Sequence, residues 1–430
     1  MNSEARLVEA MTYSDKPRLV FVGNGMAGTR TLEELLALAP DRYDISVIGE
    51  ESCGNYNRIL LSPVLAGEKT IEHIMLNDDD WYQQHRIHFY KGERAVQIDR
   101  VRRQVITASG RQIRYDRLVL ATGSRPSRIP VPGRDLKNVL TFRDINDVNT
   151  MLALSRSKRH ATVIGGGLLG LEAANGLRKQ GMAVTVVHTA DFLLNRQLDA
   201  TAARLLQHTL EQSGIQFMLN AATARIEGTA EGEVRQLVCS DGRTLKTDMV
   251  VMATGVSPNI ELADSAGLRC DRGILVNDVL QTFDPAIYAV GECIQHRGQV
   301  FGLVAPTYQQ ARVCANQLAE RGFARYIQTP AATQLKITGI HAFSAGQFQE
   351  AGSHQVIRFV DQQEGLYKKL VLDGNQLVGA VLYGDTQDGA WFFDLIQQRT
   401  NIAPVRDQLI FGKDFCHWPQ PASSALPVAA

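Results

Sequence analysis

Arg18-Leu19-Val20-Phe21-Val22-Gly23-Asn24-Gly25-Met26-Ala27-Gly28 is the stretch whose reading decides the fold. An apolar run of strand length enters a glycine-rich turn, and apolar residues then recur at Leu32, Leu35 and Leu36, the spacing of one helix face. Strand, glycine turn and helix in that order build a phosphate-binding corner, because backbone N–H groups at the helix N-terminus face a pyrophosphate. Gly23 permits the tight turn, Gly25 lets a phosphate approach, and Gly28 lets helix and strand pack closely, with Met26 and Ala27 completing the contact. A single turn of this kind is weak evidence, but the chain carries a second about 140 residues further on, the spacing of two successive domains. There Ala161-Thr162-Val163-Ile164 leads into Gly165-Gly166-Gly167-Leu168-Leu169-Gly170, and Leu171, Ala174 and Leu177 follow at helical spacing.

Two further elements recur with the turns. Asp44-Ile45-Ser46-Val47-Ile48 ends at Gly49-Glu50, which brings a carboxylate to where it can accept both hydrogen bonds of an adenosine ribose. The corresponding run Ala183 to Val187 ends instead at His188, with neither an immediate carboxylate nor an arginine cluster for a 2′-phosphate. The second nucleotide is therefore NADH or NADPH on this reading. Apolar runs ending in Ala121-Thr122-Gly123 and Ala253-Thr254-Gly255 read as buried parallel strands whose small terminal residues let backbone lie close to a ligand. Turn, strand end and ATG strand form an internal duplication.

At this point the chain resembles the two-dinucleotide flavoproteins of pyridine nucleotide-disulfide reductase fold, in which the first domain binds FAD and an inserted second domain binds NAD(P)H. The resemblance implies an α/β protein with two Rossmann-like domains and a small α+β C-terminal interface domain. Ala286 to Cys293 is similar to the family's second FAD motif, which places Gly291 and Glu292 at the ribityl chain; the family often has Asp where this chain has Glu292. Gly302, Leu303, Val304 and Ala305 open a helical segment whose N-terminus would meet the flavin pyrimidine and stabilise its reduced charge. The stretch Asn55-Tyr56-Asn57-Arg58-Ile59-Leu60-Leu61-Ser62-Pro63-Val64-Leu65-Ala66-Gly67, with Arg196-Gln197-Leu198-Asp199, resembles the FAD/NADH portion of bacterial assimilatory nitrite and nitrate reductases. That resemblance runs from about Arg18 to about Gly412. It implies that Arg58 approaches the FAD pyrophosphate, that Ser62, Val96 and Arg143 also line cofactor, and that Glu172 sits where nicotinamide meets the flavin. Related ferredoxin reductases pair that glutamate with a lysine, but this chain has Pro63 there.

Composition agrees. The 430 residues suffice for about three domains, and 44% hydrophobic content allows each a core. A net charge of zero gives no basic footprint for nucleic acid and no general pull toward anionic membranes. The polar N-terminus and the lack of a long apolar run point to a cytoplasmic protein with no membrane contact. Domain bounds are expected at 17–128 with 256–325 for FAD, 129–255 for NAD(P)H and 326–418 for the interface domain, with a disordered tail over 419–430. Within these, Ala95 to Tyr115 reads as strands turning near Ser109-Gly110, Asp78 to His85 as loop and short helix, and Lys369 to Tyr383 as a hairpin turning at Asp373-Gly374.

Cys53, Cys239, Cys270, Cys293, Cys314 and Cys416 include no CxxC or CxxxxC pair and no run able to hold an iron–sulfur cluster, so no metal site is expected. Cys293 reads as a buried small hydrophobe and Cys53 as a loop thiol. The resemblance then implies that NADH reduces FAD and that electrons leave to a metal-containing nitrate or nitrite reductase chain, with Glu172 as the catalytic residue. A self-contained NADH oxidase, a rubredoxin- or ferredoxin-type reductase and a flavin-binding redox sensor are the alternatives. The acceptor, the nucleotide preference and homo-oligomer formation stay open.

Overall fold

The computed structural model describes residues 16–329, 332–335 and 337–418. The expected disordered tail lies outside the described residues. Helices follow the chain as α1 (Met26–Leu38), α2 (Leu61–Leu65), α3 (Asp79–Gln84), α4 (Ile145–Ser155), α5 (Leu168–Lys179), α6 (Ala200–Gln212), α7 (Glu261–Ser265), α8 (Val304–Leu318) and α9 (Gly389–Gln398). Contacts divide the described residues into two compact units, one of 16–57, 75–125 and 257–327 and the other of 58–74, 126–256 and 328–418. The segment Arg58–Ile74, placed in sequence among FAD-domain residues, clusters with the second unit because α2 packs on α4 and α5.

The first unit is built on a five-stranded parallel sheet in the order 287–289, 117–120, 18–22, 44–49, 88–91. Its central strand Arg18–Val22 is buried along Leu19 to Val22, the unbroken apolar run that a strand covered on both faces requires. Helix α1 presents Leu32 and Leu35 to this core, each almost wholly buried and worth about 1.5–3 kcal/mol of transfer free energy. Helix α8 packs against α1. Residues 95–99, 104–107 and 112–114 add a three-stranded antiparallel meander, one strand more than a simple hairpin at Gly110.

The second unit repeats the plan. Its parallel sheet runs 139–141, 249–252, 160–164, 183–187, 215–218, so the strand that enters the glycine turn is central and lies between the ATG strand and the strand ending at residue 187, as in the first unit. This unit also holds a five-stranded antiparallel sheet in the order 332–334, 342–346, 376–383, 366–373, 355–361, with α9 packed on it. Its central hairpin forms as the sequence suggests, although the two loop residues are Gly374 and Asn375, after the pair Asp373 and Gln376. Gly374 takes φ +57°, which suits this short turn.

Candidate functional site

In the first unit the glycine turn divides its labour by geometry. A Cβ on Gly23 would fall 2.1 Å from the Ala121 carbonyl oxygen, and one on Gly28 would fall 2.9 Å from both the Ala121 Cβ and the Gly23 oxygen. A Cβ on Gly25 would meet nothing within 4 Å. Packing of the chain alone therefore demands the outer two glycines, while the middle one keeps a cradle open on the outer side of the turn. Gly25 is also the N-cap of α1, in ordinary extended conformation, with no side chain capping the helix and no acidic residue in its first turn. By contrast α3, α4 and α6 are capped by the carboxylates of Asp78, Asp144 and Asp199. The open N–H groups and positive dipole end of α1 suit a pyrophosphate, so the residues fit FAD at this point.

Other expected positions also lie in this unit. Glu50, at the exposed end of strand Asp44–Gly49, has the Arg94 guanidinium 3.8 Å away. Val96 is the residue skipped where the meander pairs Ala95 with Thr107 and Gln97 with Ile106, and it is 49% exposed. Thr122 and Gly123 are clasped by Asn259, whose Nδ2 donates to the Thr122 oxygen and whose N–H donates to the Gly123 oxygen. Ser124 Oγ donates to Glu292 Oε2 at 2.6 Å, so the Glu292 carboxylate is held by a neighbour that spacing does not reveal. Leu303 is the N-cap of helix α8, with no side-chain cap or first-turn acid, and Gly302 before it and Ala305 in its first turn are exposed. Sequence reading also missed Asn24: its Oδ1 accepts from the Tyr82 hydroxyl at 2.7 Å and its carbonyl from Asn55 Nδ2 at 2.8 Å, which ties down the turn. Burial pushes the Tyr82 phenol up to about 12, so it remains a donor there.

The second unit reproduces the corner almost atom for atom. A Cβ on Gly165 would fall 2.3 Å from the Ala253 oxygen and one on Gly170 would fall 1.9 Å from the Gly165 oxygen, whereas Gly167 again faces nothing within 4 Å. Gly167 caps α5 with no side-chain bond and no first-turn acid, and Leu168 and Leu169 open the helix. Ser127 clasps Thr254 and Gly255 much as Asn259 clasps the earlier ATG turn, with Thr254 Oγ1 donating to the Ser127 oxygen at 2.6 Å. The two modules differ at the strand end. His188 Nδ1 accepts the Gly166 N–H at 3.2 Å, and burial holds the imidazole below its usual 6.5. The ring is therefore neutral at neutral pH, with its own proton on Nε2, and supplies no cation for a 2′-phosphate.

Glu172 lies in α5 and is 8% exposed; Ser62 Oγ, from α2, donates to its Oε2 at 2.6 Å. Two residues singled out separately in the sequence are thus brought together, and Ser62 is a hydrogen-bond partner to the glutamate in a chain that has Pro63 next to it. Close approach of α2 to α5 depends on Gly176, where a Cβ would fall 2.7 Å from Leu65 Cγ. Arg58 Nη1 donates to the Arg143 carbonyl at 2.8 Å, and Arg143 N–H donates to Asp147. Burial, and then Asp144, push the Asp147 carboxyl above the usual carboxylate range. None of the six cysteines forms a disulfide, and Cys293 is fully buried with its thiol pushed up by desolvation.

Comparison with known proteins agrees with this geometry. Residues 17–317 match the family model of pyridine nucleotide-disulphide oxidoreductases, and residues 331–400 match that of the rubredoxin NAD+ reductase C-terminal domain. The chain is 50% identical over 388 residues to nitrite reductase [NAD(P)H] of Bacillus subtilis (strain 168), which covers 90% of this chain and 48% of that protein. It is 46% identical over 395 residues to the assimilatory nitrate reductase electron transfer subunit of the same organism, covering 92% of this chain and 51% of that one. The chain thus spans about half the length of these relatives. Among solved structures, a chain of the covalent putidaredoxin reductase–putidaredoxin complex superposes with a TM-score of 0.83 at 28% identity, covering 93% of this chain and 96% of that chain. This chain therefore belongs to the pyridine nucleotide-disulphide oxidoreductase family, whose fold implies binding of FAD and NAD(P)H.

Proposed function

We propose that this protein is an FAD-dependent oxidoreductase that draws electrons from NADH and passes them to a separate, metal-containing nitrate or nitrite reductase. The observation that carries the reading is the duplicated corner, in which the outer glycines are fixed by packing and the middle ones, Gly25 and Gly167, face open space at an uncapped helix N-terminus. One chain with two such corners holds two dinucleotides. FAD, when bound, supplies the chemistry that accepts hydride and releases electrons one at a time. The chain's own residues bind and orient: Gly25 and the first turn of α1 hold a pyrophosphate, Glu50 a ribose, Glu292 the ribityl chain and the start of α8 the pyrimidine. Gly167 and α5 hold the nicotinamide dinucleotide, and Glu172, fixed by Ser62, is the catalytic residue. The preference for NADH follows from His188, a neutral ring committed to the Gly166 N–H where an NADPH site would need a cation.

The acceptor is proposed from the relatives, one of which is named as the electron transfer subunit of an assimilatory nitrate reductase and another as a nitrite reductase. On this reading the protein works in the cytoplasm beside its partner. A small electron-carrier protein is the second reading, favoured by the C-terminal match over 331–400 and by the putidaredoxin reductase likeness. Rapid-mixing absorbance of the FAD-loaded chain tests the proposal. Fast bleaching by NADH with slow reoxidation in air, and fast reoxidation when a nitrate or nitrite reductase partner is added, is the expected result. Fast reoxidation by oxygen alone would replace it with an oxidase, and slow bleaching with a sensor.

A further inference from the structure

Gln310 stands on α8, two turns beyond the helix start, and is fully buried. Its Oε1 accepts the Gly291 N–H at 2.8 Å. Its Nε2 makes no hydrogen bond, although it lies close enough to the Tyr326 phenol to offset part of the rise that burial imposes there. A buried amide whose Nε2 donors go unmet is a poor choice for the core, where a leucine of similar size would carry no such cost. The bond that Oε1 makes is therefore the reason for the residue. Gly291 takes φ +93°, and a Cβ there would fall 2.9 Å from the Cβ of Ala27, in the first turn of α1. The next residue, Glu292, is the carboxylate that Ser124 aims. One backbone unit, Gly291, thus touches the first FAD motif, carries the second and is held by the helix whose N-terminus is the third.

We infer that Gln310 is a positioning residue for the flavin: by holding the Gly291 N–H it fixes Glu292 and the start of α1 relative to α8. This rests on the FAD reading of the first unit and on no assumption about the acceptor. An unanswered buried N–H at Gly291 would let that backbone turn away, so FAD affinity should fall before the fold does.

The test is FAD binding to the full-length chain stripped of flavin, followed by flavin fluorescence and visible circular dichroism, with thermal unfolding of the same samples. Gln310→Leu removes the acceptor and keeps the volume; Gln310→Glu keeps an acceptor at the same place. Leu should weaken FAD binding about tenfold or more and change the flavin dichroism, while Glu stays within about threefold of the wild type. The reverse order, with Leu binding normally and Glu weak, would mean that the side chain only fills space and would overturn the inference. Should Gln310→Leu not fold, Gln310→Met, which keeps the length but lacks the acceptor, takes its place: weakened FAD binding in a folded chain supports the role, and near-normal affinity overturns it. If the wild-type chain itself took up no FAD, the flavin reading would fail instead.

Discussion

At the scale of single residues, the glycine corners separate two requirements that the bare motif merges. Gly23 and Gly28 answer to the chain's own packing, whereas a Cβ on Gly25 would meet nothing, the freedom that the proposed pyrophosphate contact needs. Gly25→Val should therefore yield a folded protein that purifies colourless, and Gly167→Val one that keeps its FAD but is reduced by NADH at least about tenfold more slowly. Far-ultraviolet dichroism, flavin absorbance and stopped-flow bleaching read the three quantities; flavin loss in Gly167→Val with normal flavin in Gly25→Val would show the modules to be exchanged. His188 gives a second residue-scale prediction. Its folded pKa lies below the usual 6.5, so the folded state loses stability as pH falls below that value, and a proton arriving on Nδ1 opposes the Gly166 N–H. NADH affinity should decline between about pH 7 and about pH 5 in the wild type and stay flatter in His188→Asn, which keeps an acceptor that does not titrate; equal slopes by fluorescence titration would remove His188 from the site. These residues were legible in the sequence because each glycine's task is local. Their partners were not: Asn259 lies 137 positions from Thr122, and Ser124 lies 168 from Glu292, distances at which only the packed fold decides who meets whom.

At the scale of elements, the parallel strands were legible from unbroken apolar runs, and the duplicated strand order follows from the duplicated turns. What the sequence does not show is how the C-terminal sheet is fastened. Asp199 caps α6 by accepting the Ala202 N–H, and it also accepts from the Tyr367 hydroxyl at 2.6 Å and lies 3.3 Å from Lys369 Nζ, on the strand Leu366–Asp373. Lys369 is 3% exposed and also lies 3.2 Å from Glu350. Lys369, buried beside Lys368 in this strand, is thus a fastening between sheet and helix rather than a surface charge. Lys369→Met leaves a largely buried carboxylate without its cation and should cost about 3 kcal/mol in urea unfolding of the second unit. A loss below about 0.5 kcal/mol would mark the pair as no stronger than a surface ion pair.

At the scale of the whole molecule, the proposed route of electrons uses no thiol. Cys293 and Cys314 are fully buried with thiols pushed up by desolvation, and no cysteine is in a disulfide. A variant with all six cysteines replaced by Ser or Ala should keep most of its NADH-to-ferricyanide activity, and loss of that activity from Cys53→Ser alone, with fast flavin reduction retained, would make a thiol part of the cycle. The uncapped starts of α1, α5 and α8 carry one more consequence. Where Asp78, Asp144 and Asp199 cap their helices from within, these three would, on the proposed reading, be completed by bound cofactor, which would then supply part of the native state's free energy. A cofactor at a hundred times its dissociation constant adds about 2.7 kcal/mol to the folded form. On that reading the chain's lifetime against cellular proteases would be indexed to vitamin supply, and a riboflavin-starved cell would carry fewer copies of it even with its gene fully transcribed.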